Sequence, residues 1–369
     1  MKKIKVIHFV SGIGNDGVAQ YLINYTRLMN KNYPIDETIV YQHQANPVKL
    51  KLEEDIGNRT IRIPFKSKHP LKNLIATYRI IHNEKPDIVE AHMNLVNFFP
   101  LFIAWLCRVP VRISHSHIAQ DINNINPHLA PLFKKLCILF SNELVACGEA
   151  AGEYMYGDKK FHIIYNAIDL KKYSYSLTSR EEIRKKYNID ANSMVIGNIG
   201  RINVQKNQKF LIDIFADYLR KNSNAFLFII GNGEPDDERE LVDYIKKKNC
   251  QENVIRIEGV KSTEKFYSAF DVFALPSLYE GLPVVGVEAQ ASGVTTLLSQ
   301  NIDPSVMYSD NTKLLPINQG THCWINNFKR ANNRSLSNAY TDKYNIHVQY
   351  KELYEFYEKL IDKNENKYL

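Results

Sequence analysis

Two glutamates eight positions apart, Glu280 and Glu288, flank a turn that can hold an anion. Residues 272–276 before them read as a buried strand of apolar and aromatic side chains. In Glu280-Gly281-Leu282-Pro283, Gly281 permits a sharp turn, and Pro283 suits the first helical position, where its missing N–H costs nothing. The pattern predicts a helix over 284–292. The unpaired amides of its first turn, with the helix dipole, favour a phosphate. Glu280 then falls in the loop before the helix and Glu288 about two turns inside it. A ligand with a diphosphate in its middle and hydroxyls at both ends meets all three features, and a nucleotide sugar is such a ligand.

A second cluster lies upstream. Gly200-Arg201 and Lys206-Asn207 follow a strand expected at 194–197. Arg201 can offer a planar fork and Lys206 a point charge to one diphosphate. Negative charge grows on the bridging oxygen as a nucleoside diphosphate leaves, so cations there favour the transition state over the ground state. Gly231-Asn232-Gly233 follows an apolar strand at 225–230, a tight-turn pattern. Gly259-Val260-Lys261, Phe266-Tyr267 and Asp271-Val272-Phe273 lead into the glutamate strand.

The segment 276–289 resembles the E-x7-E signature of retaining glycosyltransferase family 4, of the exopolysaccharide and capsular polysaccharide type, which has the GT-B fold. The resemblance runs over nearly the whole chain and is strongest over 194–300. It implies that Glu280 lies by the donor sugar and that Glu288 binds the ribose. It implies that Gly200, Arg201, Lys206 and the amides of Gly281, Leu282 and Val284 hold the diphosphate, that Gly231 lines the nucleotide pocket, and that the backbone near Val260 meets the base. Glu280, His117, Arg201 and Lys206 would then be the catalytic set.

The first half offers a glycine loop and three histidines. Gly12, Gly14 and Gly17 fit G-x-G-x-x-G, which keeps a dinucleotide site, and so an NAD-dependent oxidoreductase, open as a rival. That reading lacks an acid after the second strand, where His43 stands. By resemblance, Gly14 and Gly17 belong to a loop facing the donor; Ala19 stands where the family often has Glu. His92, His115 and His117 fall at the ends of expected strands, where ligands of parallel sheets bind. The resemblance matches His117 to a histidine near the reacting sugar. A structural role for His92 and His115 is equally open, and a metal on His115 and His117 lacks a supporting carboxylate in the sequence.

These groups need a scaffold of alternating strands and helices. Strands are expected at 3–10, 38–42, 59–63, 87–91, 112–115, 143–146 and 162–164, with helices at 18–29, 71–83, 96–107 and 149–156. The pattern restarts with strands at 194–197, 225–230, 254–257, 272–275 and 295–298 and helices at 210–221, 238–249, 265–270 and 284–292. Such alternation argues for two doubly wound α/β domains. The GT-B resemblance implies that two Rossmann-like domains face each other across a cleft, with a C-terminal helix crossing back. Domain one is placed at 1–172 with a returning helix at 346–369, and domain two at 173–345.

The chain has 369 residues, enough for two domains. Its net charge of +7 lies wholly in residues 1–175, which hold 22 Lys/Arg against 15 Asp/Glu. Lys66, Lys68, His69 and Lys72 cluster there, and Lys134 and Lys135 sit in the apolar run 129–140. That suits an anionic membrane surface or a diphosphate-lipid acceptor; nothing in the sequence matches a nucleic-acid-binding signature. Five widely spaced cysteines read as free thiols of a reducing cytoplasm, and no secretory signal or membrane span is read. No D-x-D pair is present to hold a divalent ion at the diphosphate, so no essential metal and no cofactor is expected. The expected activity is retaining transfer from a nucleotide donor, UDP-linked, to a hydroxyl of a lipid-linked glycan. The rivals are the oxidoreductase, a same-fold epimerase or phosphorylase, and a non-catalytic partner protein.

Overall fold

The computed structural model describes residues 3–14, 16–119, 128–260, 262–334 and 341–365; Asn15 and Lys261, each part of a motif above, lie outside the described residues. The chain divides into two compact units, Met1–Ala167 with Asp342–Leu369, and Ile168–Thr341.

The first unit runs β1 (Ile4–Val10), α1 (Gly17–Asn32), β2 (Ile35–Tyr41), α2 (Pro47–Asp55), β3 (Arg59–Arg62), α3 (Pro70–Glu84), β4 (Ile88–Ala91), α4 (Phe98–Leu106), β5 (Val111–Ser116), α5 (Ala130–Phe140), β6 (Glu143–Ala146), α6 (Glu149–Tyr156) and β7 (His162–Ile163). Its strands pair in the order β3-β2-β1-β4-β5-β6-β7, all parallel. The second unit runs α7 (Leu177–Lys186), β8 (Met194–Ile199), α8 (Gln208–Leu219), β9 (Ala225–Ile230), α9 (Pro235–Lys247), β10 (Val254–Ile257), α10 (Glu264–Ala269), β11 (Val272–Leu275), α11 (Val284–Ala291), β12 (Thr295–Ser299), β13 (Thr312–Leu315) and α12 (His322–Ile325). Its order is β10-β9-β8-β11-β12-β13, again parallel. Each sheet reverses its winding once, at β1/β4 and at β8/β11. Crevices at the carboxyl ends of such strands are where this architecture binds ligands.

The last helix, α13 (Ile346–Glu365), belongs to the first unit. Its Tyr350, Leu353, Tyr354, Tyr357 and Leu360 recur at helical spacing and join the core formed by Tyr21, Leu22, Tyr25 and Met29 of α1. Tyr354 stacks on Tyr33 at 3.8 Å between ring centroids. The units divide at 167/168 and 341/342, not at 172/173 and 345/346. The reasons are local. Asn24 and Tyr25 of α1 donate to the carbonyls of Ala167 and Tyr165, while Tyr344 packs edge-on to Tyr165 at 5.4 Å. Tyr173 instead meets Tyr267 at 5.9 Å.

Caps fix several helix starts. Asp16 accepts from the amide of Ala19, Asn46 from Val48 and Ser176 from Ser179. Helix α9 opens on Pro235 with Asp236, Asp237 and Glu238 in its first turn and closes on Lys246 and Lys247, in accord with the helix dipole. Helices α2, α5, α7 and α12 and strand β13 add to the elements expected from the sequence.

Candidate functional site

The second unit builds its polar groups on the loops after β8, β9 and β11. Gly231 ends β9 with φ +144°, and a Cβ there would overlap the carbonyl oxygen of Gly200. Only glycine therefore lets the two turns come this close. The amide of Gly200 donates to Ile230 O at 2.9 Å, and Ile202 bridges to Gly233. Gly200 itself passes the Lys206 stem, whose Cε would lie 3.3 Å from an added Cβ. Arg201 is exposed and its side chain has no partner among the described residues. Its guanidinium is thus available to an incoming anion.

Lys206 is already engaged. A short turn at Val204–Lys206, capped by Asn203, turns Lys206 onto Glu280, and the two side chains form an ion pair. Glu280 is 9% exposed. It also accepts from Ser277 Oγ at 2.8 Å and, on its other oxygen, from Gln205 Nε2 at 3.4 Å. The loops are tied together by Leu278 N to Gln205 O (2.8 Å), Gln205 Nε2 to Tyr279 O (3.0 Å) and Asn207 Nδ2 to Pro276 O (3.1 Å). Ser277 and Gln205 are site residues that sequence reasoning did not single out.

Helix α11 begins at Val284 with Pro283 as its N-cap, one position earlier than expected for the proline. A proline has no N–H to lose at either position. Gly281 keeps a φ outside the left-handed region, so the turn does not draw on its freedom. By helix geometry the amides of Val284 and Val285 lack intrahelical acceptors, and Val284 is half-exposed while Leu282 is buried. Glu288 is the fifth helical residue, little more than one turn inside rather than two. It is 6% exposed and accepts from Tyr267 Oη at 2.7 Å. Burial and the charge of Glu288 push the Tyr267 and Tyr173 phenols up, so both stay protonated donors beside the carboxylate. Half-buried Val260 follows β10, where the amide of Gly259 is held by the Asn232 side chain.

The first unit gathers its polar groups inside the sheet. His8 on β1, His92 after β4, and His115 and His117 at the end of β5 are all buried. His8 Nδ1 lies 3.1 Å from His92 Nε2, and His92 Nδ1 lies 2.9 Å from His117 Nε2. His8 Nε2 meets Glu37 Oε1 of β2 at 3.2 Å. Glu90 of β4 accepts from His115 Nδ1 at 2.7 Å and from the Tyr357 hydroxyl of α13. The carboxylate missing from the sequence argument is therefore present, as Glu90, on the neighbouring strand. His92, His115 and His117 have ligand atoms within 4.8 Å of one another. However, the His92 and His117 nitrogens that face each other share a hydrogen bond, so the arrangement is a hydrogen-bonded chain. Burial holds His92 and His117 well below the ordinary imidazole range. Burial also disfavours a charged His8, but its bond to Glu37 and the charge of Glu90 outweigh that and raise it. Glu90 is held low despite burial, by its hydrogen bonds to His115 and Tyr357 and by the charge of His8.

The glycine loop before α1 packs on the segment after β2: His43 N donates to Ser11 O at 2.8 Å and Asn46 N to Ile13 O at 2.7 Å. Gly17 is the first residue of α1, and Gly14 leaves room for the Asp16 carboxylate. No acid follows β2.

Residues 179–331 match the family model for glycosyl transferases group 1. EpsF of Bacillus subtilis is 29% identical over 315 residues, 82% of this chain and 80% of that protein. The UDP-Gal:alpha-D-GlcNAc-diphosphoundecaprenol alpha-1,3-galactosyltransferase of Escherichia coli is 25% identical over 318 residues, 80% and 79% of the two chains. Other relatives are named for capsular polysaccharide, amylovoran and O-antigen biosynthesis. Among solved structures, HepE of Anabaena, crystallised with UDP and glucose, superposes with a TM-score of 0.81 at 17% identity over 96% of this chain and 100% of that one.

Proposed function

Starting from a glycosyltransferase of polysaccharide biosynthesis with the GT-B fold, its residues 179–331 those of glycosyl transferases group 1, we propose that this chain transfers a sugar from a UDP-sugar, with retention and without a metal, to a hydroxyl of a lipid-linked glycan. The observation that carries the donor half is the grouping of Arg201, Lys206 and Glu280 with the start of α11 at the carboxyl ends of β8 and β11. In this reading Glu288 takes the ribose hydroxyls. Arg201, Lys206 and the first-turn amides of α11 take the diphosphate, and Glu280 orients the sugar. The acceptor hydroxyl attacks on the face from which the diphosphate leaves. The bond from the anomeric carbon to the diphosphate breaks, a new glycosidic bond forms, and the departing phosphate takes the acceptor proton. Two cations and oriented amides answer the charge that develops on that phosphate.

The acceptor half rests on the first unit. Leu71 and Ile75 of α3, Trp105 and Leu106 of α4, and Leu132 and Leu139 of α5 are exposed on helices that pack side by side. Exposed Lys68, Lys72 and Lys135 lie on or next to the same helices. An apolar face ringed by lysines suits an anionic bilayer surface, where a diphosphate-lipid acceptor resides. No helix among the described residues is long and apolar enough to cross a membrane, so the association proposed is peripheral, at a cytoplasmic membrane face.

The test is thermal stabilisation by UDP, GDP, ADP and NADH with and without EDTA, followed by product analysis with UDP-sugars. A shift with UDP alone, unchanged by EDTA, and an α-configured product from an α-donor are expected. A shift that EDTA abolishes, or an inverted product, would overturn the metal-independent, retaining reading.

A further inference from the structure

Each neutral imidazole has one N–H and one lone pair, so a chain of bonded rings can hold its protons in only two ways. Here the far end is set by Glu37, which as a carboxylate accepts from His8 Nε2–H. If His8 is protonated, its Nδ1–H donates to His92 Nε2. His92 then carries its proton on Nδ1 and donates to His117 Nε2, leaving the His117 proton on Nδ1. If His8 is neutral, it still donates to Glu37 through Nε2–H, but both ring-to-ring bonds reverse and His117 Nδ1 becomes a bare lone pair. That terminal nitrogen is buried and has no partner among the described residues; the same is true of His115 Nε2 and of the Tyr21 hydroxyl. His115 donates through Nδ1 to Glu90, so its orphaned Nε2 is an acceptor when the ring is neutral. The His115 and His117 rings stack with centroids 4.1 Å apart, and Tyr21 meets both edge-on at 5.2 and 5.5 Å. Buried polar groups are rarely left unpaired without a use.

We propose that His8, His92 and His117 form a tautomer-coupled chain in which a proton held on His8 by Glu37 makes His117 Nδ1 a donor, so that His117 and His115 together present one donor and one acceptor to a single hydroxyl of a bound sugar. A hydroxyl is the group that answers both, because it accepts one hydrogen bond and donates another. The sugar identity of the ligand rests on the proposed function; the coupling of the rings does not. His8 and His92 are positioning residues, acting through His117. The groups that face the chain are Glu37 of β2, Glu53 of α2, Glu90 of β4, His115 of β5, Tyr21 and Tyr25 of α1, Cys147 after β6 and Tyr357 of α13. The two carboxylates nearest His8, Glu37 at 3.2 Å and Glu90 at 3.7 Å, favour its charged form. A neutral His8 would leave two bare acceptors at the orphaned nitrogens, a pair suited to a cation rather than to a hydroxyl.

The full-length protein labelled with ¹⁵N-histidine tests this. Ring nitrogen shifts report which nitrogen of each ring is protonated. Below the His8 midpoint, His92 and His117 are expected as Nδ1–H tautomers with His8 doubly protonated. As pH rises, His92 and His117 should move to Nε2–H together, at the same midpoint at which His8 loses its proton. In His92→Phe, His8 should still titrate while His117 no longer follows it. The proposal is overturned if His117 carries its proton on Nε2 at the lower pH, if the wild-type rings change at separate midpoints, or if the purified protein holds one equivalent of a transition metal that shifts these rings. A second readout is the pH profile of kcat/KM with UDP-glucose, which should break at that midpoint. Coupled rings with a flat profile would leave the chain standing and remove the assignment of His117 to the sugar.

Discussion

Changing Glu280 to glutamine should separate binding from transfer, because Glu280 occupies Lys206, the cation proposed to hold the diphosphate. In the ligand-free protein Lys206 is paired with Glu280, with side chains 14% and 9% exposed. A diphosphate that reaches Lys206 must share or displace that carboxylate. The bare attraction of two unit charges at this kind of separation is about 4 kcal/mol at an effective dielectric of ~20. Most of it is offset by the cost of removing both charges from water, which leaves a net worth of about 1 kcal/mol for a partly exposed pair. Glutamine keeps the shape and an acceptor for Ser277 Oγ, now 2.8 Å from Glu280 Oε1, while it removes the charge that holds Lys206. UDP affinity in Glu280→Gln should therefore lie between unchanged and about tenfold tighter. Sugar transfer should fall by a factor on the order of a hundred or more, as for other groups that act at the reacting centre. Lys206→Met should do the opposite to binding and weaken UDP. Isothermal titration with UDP and a transfer assay on the same preparations give both numbers. UDP binding weakened more than about threefold in Glu280→Gln, in a protein that melts like wild type, would refute the reasoning and make Glu280 part of the nucleotide site.

Glu288→Ala removes the acceptor of Tyr267 and the proposed ribose ligand; UDP affinity should drop by about 1.5–3 kcal/mol, read by the same titration, while uracil binding changes little. Asp271 is 4% exposed and is held by Arg180 and Arg184, each at 2.7 Å, and by the amide of Val195. Asp271→Ala strands a buried guanidinium and should cost the second unit about 3–5 kcal/mol in urea denaturation; a loss under ~1 kcal/mol would show the cluster to be well solvated. Burial raises Glu53 to about 7, so the folded unit keeps it protonated where the unfolded chain, at 4.5, has already ionised. Its contribution is full below pH 4.5 and is lost as pH rises through 7. Against wild type, Glu53→Gln should gain on the order of 3 kcal/mol between pH 5 and pH 8, and parallel pH profiles for the two proteins would contradict it. Leu71→Glu combined with Ile75→Glu should cut cosedimentation with anionic vesicles severalfold without changing UDP binding; unaltered cosedimentation would move the membrane face elsewhere.

What could be read from the sequence follows from where the energy is local. Strands at 225–230 and 272–275 are continuous apolar runs bounded by turn residues, and they form between the expected limits, as does 254–257 despite Arg256 in its middle. Helix α7 was hidden because its register is set from a distance. Of its ten residues only Ile183 and Arg184 are buried, and Arg180 and Arg184 reach residues 268–271, nearly ninety positions away. Helix α2 buries only Glu53, against Asn58, and so shows no apolar stripe. The cation loop and the two glutamates were readable as types and spacings. The Lys206–Glu280 pair was not, because both groups could equally have faced solvent. The histidine chain joins positions 84 and 25 residues apart. Beyond His92 and His117 at strand ends, its local trace is an ionisable residue inside each of two largely apolar strands, His8 in β1 and Glu90 in β4.

That trace separates the two units physically. The second unit places the two cations of its candidate site, Arg201 and Lys206, on a loop past a strand end, where a cation costs little and an anionic ligand can reach it. The first places its histidines and carboxylates within and just past the strands, fully buried, where each unpaired group costs about 1–3 kcal/mol and an isolated charge far more. Apolar side chains at positions 8, 37 and 90 would pack between the same helices at lower cost, so sheet stability does not call for these residues. Their nitrogens and oxygens are instead bonded ring to ring from Glu37 to His117; one Glu37 oxygen stays unpaired at one end, and at the other His117 Nδ1, His115 Nε2 and the Tyr21 hydroxyl stay open around the carboxyl end of β5. A buried chain with a carboxylate at one end and an unsatisfied ring nitrogen at the other has a direction. It is built to control a hydrogen bond to something that is not protein.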